Sequence, residues 1–148
     1  MPEFSVPTAL VTGANRGIGL EWARHLAGSA EQLVVTCRRP DEADALARLA
    51  EAHPETIEVF ALDVSDPEAT RRAVARVRDQ TGRLDLLVNN AGINGGGKDD
   101  RFAKVDPETM MEVFRVNAAG PHLLAQAFAE LLRAGVAQTP AVIVNVTS

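Results

Sequence analysis

The chain contains no tyrosine, and its 148 residues include a single cysteine and a single tryptophan. One cysteine, Cys37, cannot close an internal disulfide, which fits a reducing, cytoplasmic setting. Long apolar runs are missing: the longest are a few residues, against the roughly 20 needed to span a bilayer, so no membrane association is expected. The opening Met-Pro-Glu-Phe-Ser has no basic patch followed by an apolar stretch, so no secretory signal is expected. Positive charge is not in excess either. A net charge of −5 and a pI near 5.2 argue against a nucleic-acid platform, because no basic face dominates. His25, His53 and His122 show no metal-ligand spacing, so no metal site is expected.

What is present is an ordinary globular composition. At 46% hydrophobic and 24% charged the chain is neither disordered nor collagenous, and its length suits one domain. Apolar runs rich in β-branched residues alternate with helical patterns. Ala9-Leu10-Val11 leads into a glycine cluster, and Leu20 to Ala27 reads as helix, stopped at Gly28. Leu33 to Cys37 is a buried-strand run, Pro40 opens a helix through Ala52, and Thr56 to Leu62 is a third strand. Ser65-Asp66-Pro67-Glu68 is a helix start: Ser or Asp can cap, Pro sits in the first turn, and Ser-x-x-Glu has the spacing of a capping box. That helix is expected to end at Gly82. Leu84 to Asn89 is strand four, and Asp106-Pro107 begins a long helix to about Ala134 with a kink at Gly120-Pro121. Ala141 to Ser148 is strand five. Uniformly apolar strands separated by helices imply an α/β fold, a Rossmann-type doubly wound parallel sheet covered on both faces.

The turn Thr12-Gly13-Ala14-Asn15-Arg16-Gly17-Ile18-Gly19 joins strand one to helix one. Glycines there permit positive φ and let backbone approach a pyrophosphate, while the helix N-terminus offers free N–H groups to the anion. In this architecture an acidic residue roughly 20 positions on would hold a ribose 2′-hydroxyl, whereas arginine accommodates a 2′-phosphate. Here the acidic position holds Cys37, followed by Arg38 and Arg39, and Arg16 lies in the turn itself. A charge-assisted hydrogen bond contributes about 1.5–3 kcal/mol, enough to favour NADP(H) over NAD(H) by about tenfold or more. NADP(H) is therefore the expected cofactor, with NAD(H) the second choice.

With these features the sequence resembles the short-chain dehydrogenase/reductase family, and the remaining motifs match in order along the whole chain. The family's Thr-Gly-x-x-x-Gly-x-Gly turn corresponds to residues 12–19, its adenine-contacting Asp-Val to Asp63-Val64, and its Asn-Asn-Ala-Gly to Asn89-Asn90-Ala91-Gly92. Its helix asparagine corresponds to Asn117 and its catalytic serine to Ser148. Thr36-Cys37-Arg38 and the Arg-bearing turn look most like the NADPH-preferring carbonyl-reductase-like and C-factor-like members. The resemblance implies that Gly13, Asn15, Arg16, Gly17, Ile18, Gly19, Arg38, Asp63, Val64, Asn90, Ala91 and Gly92 hold the cofactor, with Asn117 and Ser148 in the catalytic set. It also implies hydride transfer between NADP(H) and a carbonyl or secondary alcohol, and a homo-oligomer. On the residues alone, plainer readings stay open: Asp63 as a cap or turn residue beside Ser65, Asn89-Asn90 as turn residues, Asn117 as a surface amide.

In the family a tyrosine donates the proton to the carbonyl, and the lysine of a Tyr-x-x-x-Lys motif lowers its pKa and holds the ribose. These 148 residues contain neither the tyrosine nor that motif; the two lysines are Lys98 and Lys104. The resemblance therefore implies the cofactor-binding, N-terminal part of such a fold, residues 1–148, inactive alone and expected to belong to a longer chain. A non-catalytic dinucleotide-binding module is the alternative. Other features read plainly: the arginines from Arg71 to Arg78 as a solvated helix face, Met110, Met111, Val113 and Phe114 as core or subunit-contact residues, and Gly95 to Asp100 as a loop near a substrate opening.

Overall fold

The computed structural model describes residues 6–95, 105–135 and 140–147. Five parallel strands, β1 (Val6–Thr12), β2 (Ala30–Cys37), β3 (Ile57–Ala61), β4 (Leu86–Asn89) and β5 (Val142–Asn145), form one sheet in the spatial order β3-β2-β1-β4-β5. The chain winds outward from β1 to β3, then returns to the other side of β1 as β4. A crevice therefore opens at the C-terminal ends of β1 and β4, where doubly wound sheets bind ligands.

The strands are apolar on both faces because both faces are covered. Alternate residues point to opposite sides of a strand. Ala9, Val11, Leu33, Val35, Leu86 and Val88 pack with Leu20, Ala23 and Leu26 of α1 (Gly17–Leu26) and Leu46 of α2 (Asp44–Ala52). Their neighbours Leu10, Val34 and Leu87 face the other way, toward Val74 and Val77 of α3 (Pro67–Thr81). They also meet Leu124 of α5 (Gly120–Ala127), Phe128, and Leu131 of α6 (Ala129–Ala134). No helix among the described residues is long and apolar enough to cross a membrane.

Several local expectations are corrected. The helix expected from Pro40 is two pieces, a 3-10 turn over Pro40–Glu42 and then α2, separated by Ala43 at φ −106°, ψ 62°. Asp66, not Ser65, caps α3: its side chain accepts from the backbone N–H of Glu68 at 2.8 Å, while Ser65 turns back to Asp63. Asp66 directly precedes Pro67, so its carboxylate reaches the first free N–H groups, and no capping box forms from Ser65. Gly82 ends α3 as expected, at φ +68°. The single long helix is three: α4 (Pro107–Phe114), α5 and α6, with a π-helical turn over Arg115–Ala119 between the first two. Pro121 lacks an N–H and cannot donate to the turn before it, and the widened turn lies just ahead of the expected kink at Gly120-Pro121.

Candidate functional site

Two adjoining clefts run along the C-terminal edge of the sheet, of about 1290 and 520 Å³. The smaller is lined by Gly13, Cys37–Arg39 and Leu62–Val64, at the C-terminal ends of β1, β2 and β3, together with Asn15 to Ile18. The larger continues past Asn89–Gly95 to the π turn and Asn145–Thr147 after β5. Arg16, Ile18, Arg38 and residues 90–93 line both, so one continuous groove crosses the sheet.

The glycine turn is built by close contact. Thr12 is buried at the end of β1, and its Oγ1 accepts the backbone N–H of both Asn90 and Ala91 at 3.0 Å. The Asn90 amide donates back to the carbonyls of Thr12 (3.1 Å) and Gly13 (3.0 Å), locking the turn to the segment after β4. A Cβ at Gly13 would lie 2.8 Å from Ala91 Cα, and one at Gly19 would overlap Gly13 O and Asn90 Nδ2, so only glycine fits either position. Gly17 differs: among the described residues nothing crowds it, and its φ of +55° is what favours glycine there. Arg16 caps α1 without a side-chain hydrogen bond, and the first turn holds no carboxylate. The N–H groups and partial positive charge of this helix end are thus left for an incoming anion.

Charge around the smaller cleft suits a second phosphate. Arg16 and Arg38 are exposed and take part in none of the ion pairs among the described residues. Arg39, by contrast, is paired with Glu42. Burial pushes the Cys37 thiol up, so at neutral pH it brings no charge to the end of β2. Asp63 accepts the N–H (2.9 Å) and hydroxyl (2.6 Å) of Ser65 through Oδ1, making it a turn residue as well as a lining one. Val64 is buried beside it.

At the other end, Asn117 lies in the π turn. Its Oδ1 accepts the Ile93 N–H at 2.8 Å and its Nδ2 donates to the Ile93 carbonyl at 2.6 Å, so the amide pins the segment after β4 to the helix. Asn89 is buried, and its Nδ2 donates to Asn145 Oδ1 at 2.9 Å across the paired strands. The roles of Thr12 and Asn90 as a reciprocal clamp escape a reading by motif alone. A buried threonine closing an apolar strand was their only local signal. Ser148, Lys98, Lys104 and, apart from Gly95 itself, the loop expected from Gly95 to Asp100 lie outside the described residues. Of the two readings open for Met110, Met111, Val113 and Phe114, core or subunit contact, the structure removes the first for three: Met110, Met111 and Phe114 are 59%, 49% and 57% exposed, while Val113 is half-buried. These three fall on the outward side of α4, where the amphipathic pattern alone did not tell core from surface.

The family profile described as short chain dehydrogenase matches residues 7–148. The (+)-neomenthol dehydrogenase of Arabidopsis thaliana is 34% identical over 167 residues, covering 100% of this chain and 55% of that protein. A crystal structure of NADPH-bound carbonyl reductase from chicken fatty liver superposes with a TM-score of 0.83 at 36% identity, covering 98% of this chain and 60% of that one. A 3-oxoacyl-[acyl-carrier protein] reductase from Brucella melitensis in complex with NAD superposes at 0.78, with 33% identity, covering 94% of this chain and 54% of that one. The chain thus spans little more than half the length of these relatives.

Proposed function

The chain belongs to the short-chain dehydrogenase family, and from that premise we propose that it forms the cofactor-holding part of an NADP(H)-dependent oxidoreductase that interconverts a carbonyl and a secondary alcohol. The observation that carries this reading is the pairing of an α1 N-terminus without a side-chain cap with two guanidiniums, Arg16 and Arg38, that have no carboxylate partner among the described residues. Solved relatives hold NADPH or NAD, so likeness alone does not choose between them; Cys37 and Arg38 are what support NADP(H) here.

In this reading Gly13, Asn15, Gly17, Ile18 and Gly19 hold the pyrophosphate through backbone N–H groups, Arg16 and Arg38 hold the 2′-phosphate, and Asp63-Val64 hold the adenine. Asn90, Ala91 and Gly92 line the path toward the nicotinamide. A bound nicotinamide would supply or accept the hydride. Ser148 would hydrogen-bond the substrate oxygen. Asn117 acts as a positioning residue: both atoms of its amide are engaged by Ile93, so it sets where the Asn90–Ile93 segment and the π turn stand relative to each other. The proton would reach the substrate from a group outside these 148 residues, which hold no tyrosine. The exposed Met110, Met111 and Phe114 suit a contact between copies. The alternative reading is a dinucleotide-binding module without turnover.

Titration of the intact protein with NADPH and NADH tests the assignment. NADPH is expected to bind at least about tenfold more tightly, and adding an aldehyde or ketone panel is expected to consume it. Binding of neither cofactor would overturn the proposal, and binding without consumption would select the module. Asn117→Leu in the intact protein is expected to lower turnover by about tenfold or more, with NADPH affinity changed less than threefold, since misplacing a site by an ångström degrades positioning before binding. Unchanged turnover would remove Asn117 from the site.

A further inference from the structure

The smaller cleft holds a third arginine that the reading above leaves unused. Arg39 Nη1 lies 3.2 and 3.0 Å from the two carboxylate oxygens of Glu42, and both side chains line the cleft beside Arg38 and Asp63. The pairing follows from local structure. Pro40 opens the 3-10 turn over Pro40–Glu42, and the Glu42 N–H donates to the Arg39 carbonyl at 3.2 Å. In such a turn residues three apart eclipse, so Glu42 is stacked on Arg39 while Asp41 is rotated away. Among the lining residues, three guanidiniums (Arg16, Arg38, Arg39) therefore face two carboxylates (Glu42, Asp63), and one of the two neutralises a cation next to the expected phosphate site.

We propose that Glu42 is a specificity-determining residue of the cofactor pocket, which weakens the preference for a 2′-phosphate by competing with that phosphate for Arg39. The inference rests on the NADP(H) assignment above. The Arg39 and Glu42 side chains are 72% and 64% exposed, and an ion pair so open to water is weak, so a phosphate dianion can draw Arg39 away. Glu42 is then left without its partner. That loss opposes the phosphorylated cofactor and leaves one that ends in a 2′-hydroxyl untouched.

The test is a double-variant cycle on the intact protein, reading dissociation constants for NADPH and NADH. Glu42→Gln is expected to tighten NADPH about fivefold and to change NADH less than twofold. In an Arg39→Ala background the same substitution is expected to improve NADPH less than twofold. Unchanged or weaker NADPH binding by Glu42→Gln would overturn the inference while leaving the cofactor assignment standing. An equal gain with and without Arg39 would also overturn it, because Glu42 would then act on the phosphate directly. If the unaltered protein binds neither cofactor, the assignment and the inference fall together. Glu42 is exposed, so the variant is expected to melt with the unaltered protein, which keeps the affinity comparison meaningful.

Discussion

Gly19→Ala is expected to lower the melting temperature by about 6–15 °C and to weaken NADPH binding by about 30-fold or more. The added methyl would overlap Gly13 O and Asn90 Nδ2, two atoms that are themselves hydrogen-bonded at 3.0 Å. Relief requires the first turn of α1 and the Asn90 segment to move apart. That motion stretches the two bonds from the Asn90 amide and the two that Thr12 Oγ1 accepts, all of which join the ends of β1 and β4. Overpacking of this kind costs about 1–3 kcal/mol, and leaving part of the clamp unpaired adds about 1 kcal/mol. Gly17→Ala supplies the contrast. It meets no atom of the described residues within 4 Å but must keep φ at +55°, so a smaller loss of about 1–2 kcal/mol is expected. Thermal melts and NADPH titrations of both variants check the pair. A Gly19→Ala protein that melts within 2 °C of the parent would show that close approach is not what shapes this turn.

The same contrast shows what a sequence conveys here and what it withholds. The strands were legible because Leu33-Val34-Val35 and Leu86-Leu87-Val88 must be apolar on both faces, and burial on both faces leaves no other reading of such short runs. The glycine turn was legible because positive φ and missing side chains are written in residue identity. The clamp behind it was not: Thr12 and Asn90 are 78 residues apart, and nothing local says that they bond each other. The π turn at Arg115–Ala119 was not legible, only a kink at the Gly120-Pro121 that follows it, since one extra residue in a turn leaves the apolar spacing almost unchanged. Of the two residues open as the cap, Asp66 takes the role and no Ser65 capping box forms, because Ser65 had a nearer use, bonding Asp63. Arg39 and Glu42 had the spacing of a pair in plain view, but their proximity to the cofactor edge needed the sheet.

Arg38→Asp is expected to invert the cofactor preference, moving the ratio of NADPH to NADH affinity by about two orders of magnitude. Losing one charge-assisted bond to a phosphate accounts for about 1.5–3 kcal/mol, and the new carboxylate adds repulsion against the same group. NADH stands to gain, because a carboxylate after β2 can accept hydrogen bonds from a ribose 2′-hydroxyl, and the neutral Cys37 thiol beside it brings no competing charge. Salt supplies an independent readout. In the unaltered protein NADPH binding is expected to weaken more steeply with ionic strength than NADH binding, since exposed charges are screened over about 10 Å at 0.1 M. Arg38→Asp is expected to erase that difference. If instead the preference survives and only Arg16→Ala abolishes it, the phosphate is held from the glycine turn and not from the end of β2. The pocket would then discriminate through the same loop that holds the pyrophosphate, and preference and affinity could not be altered separately. Independent control of the two is what an arginine after a different strand, β2, provides.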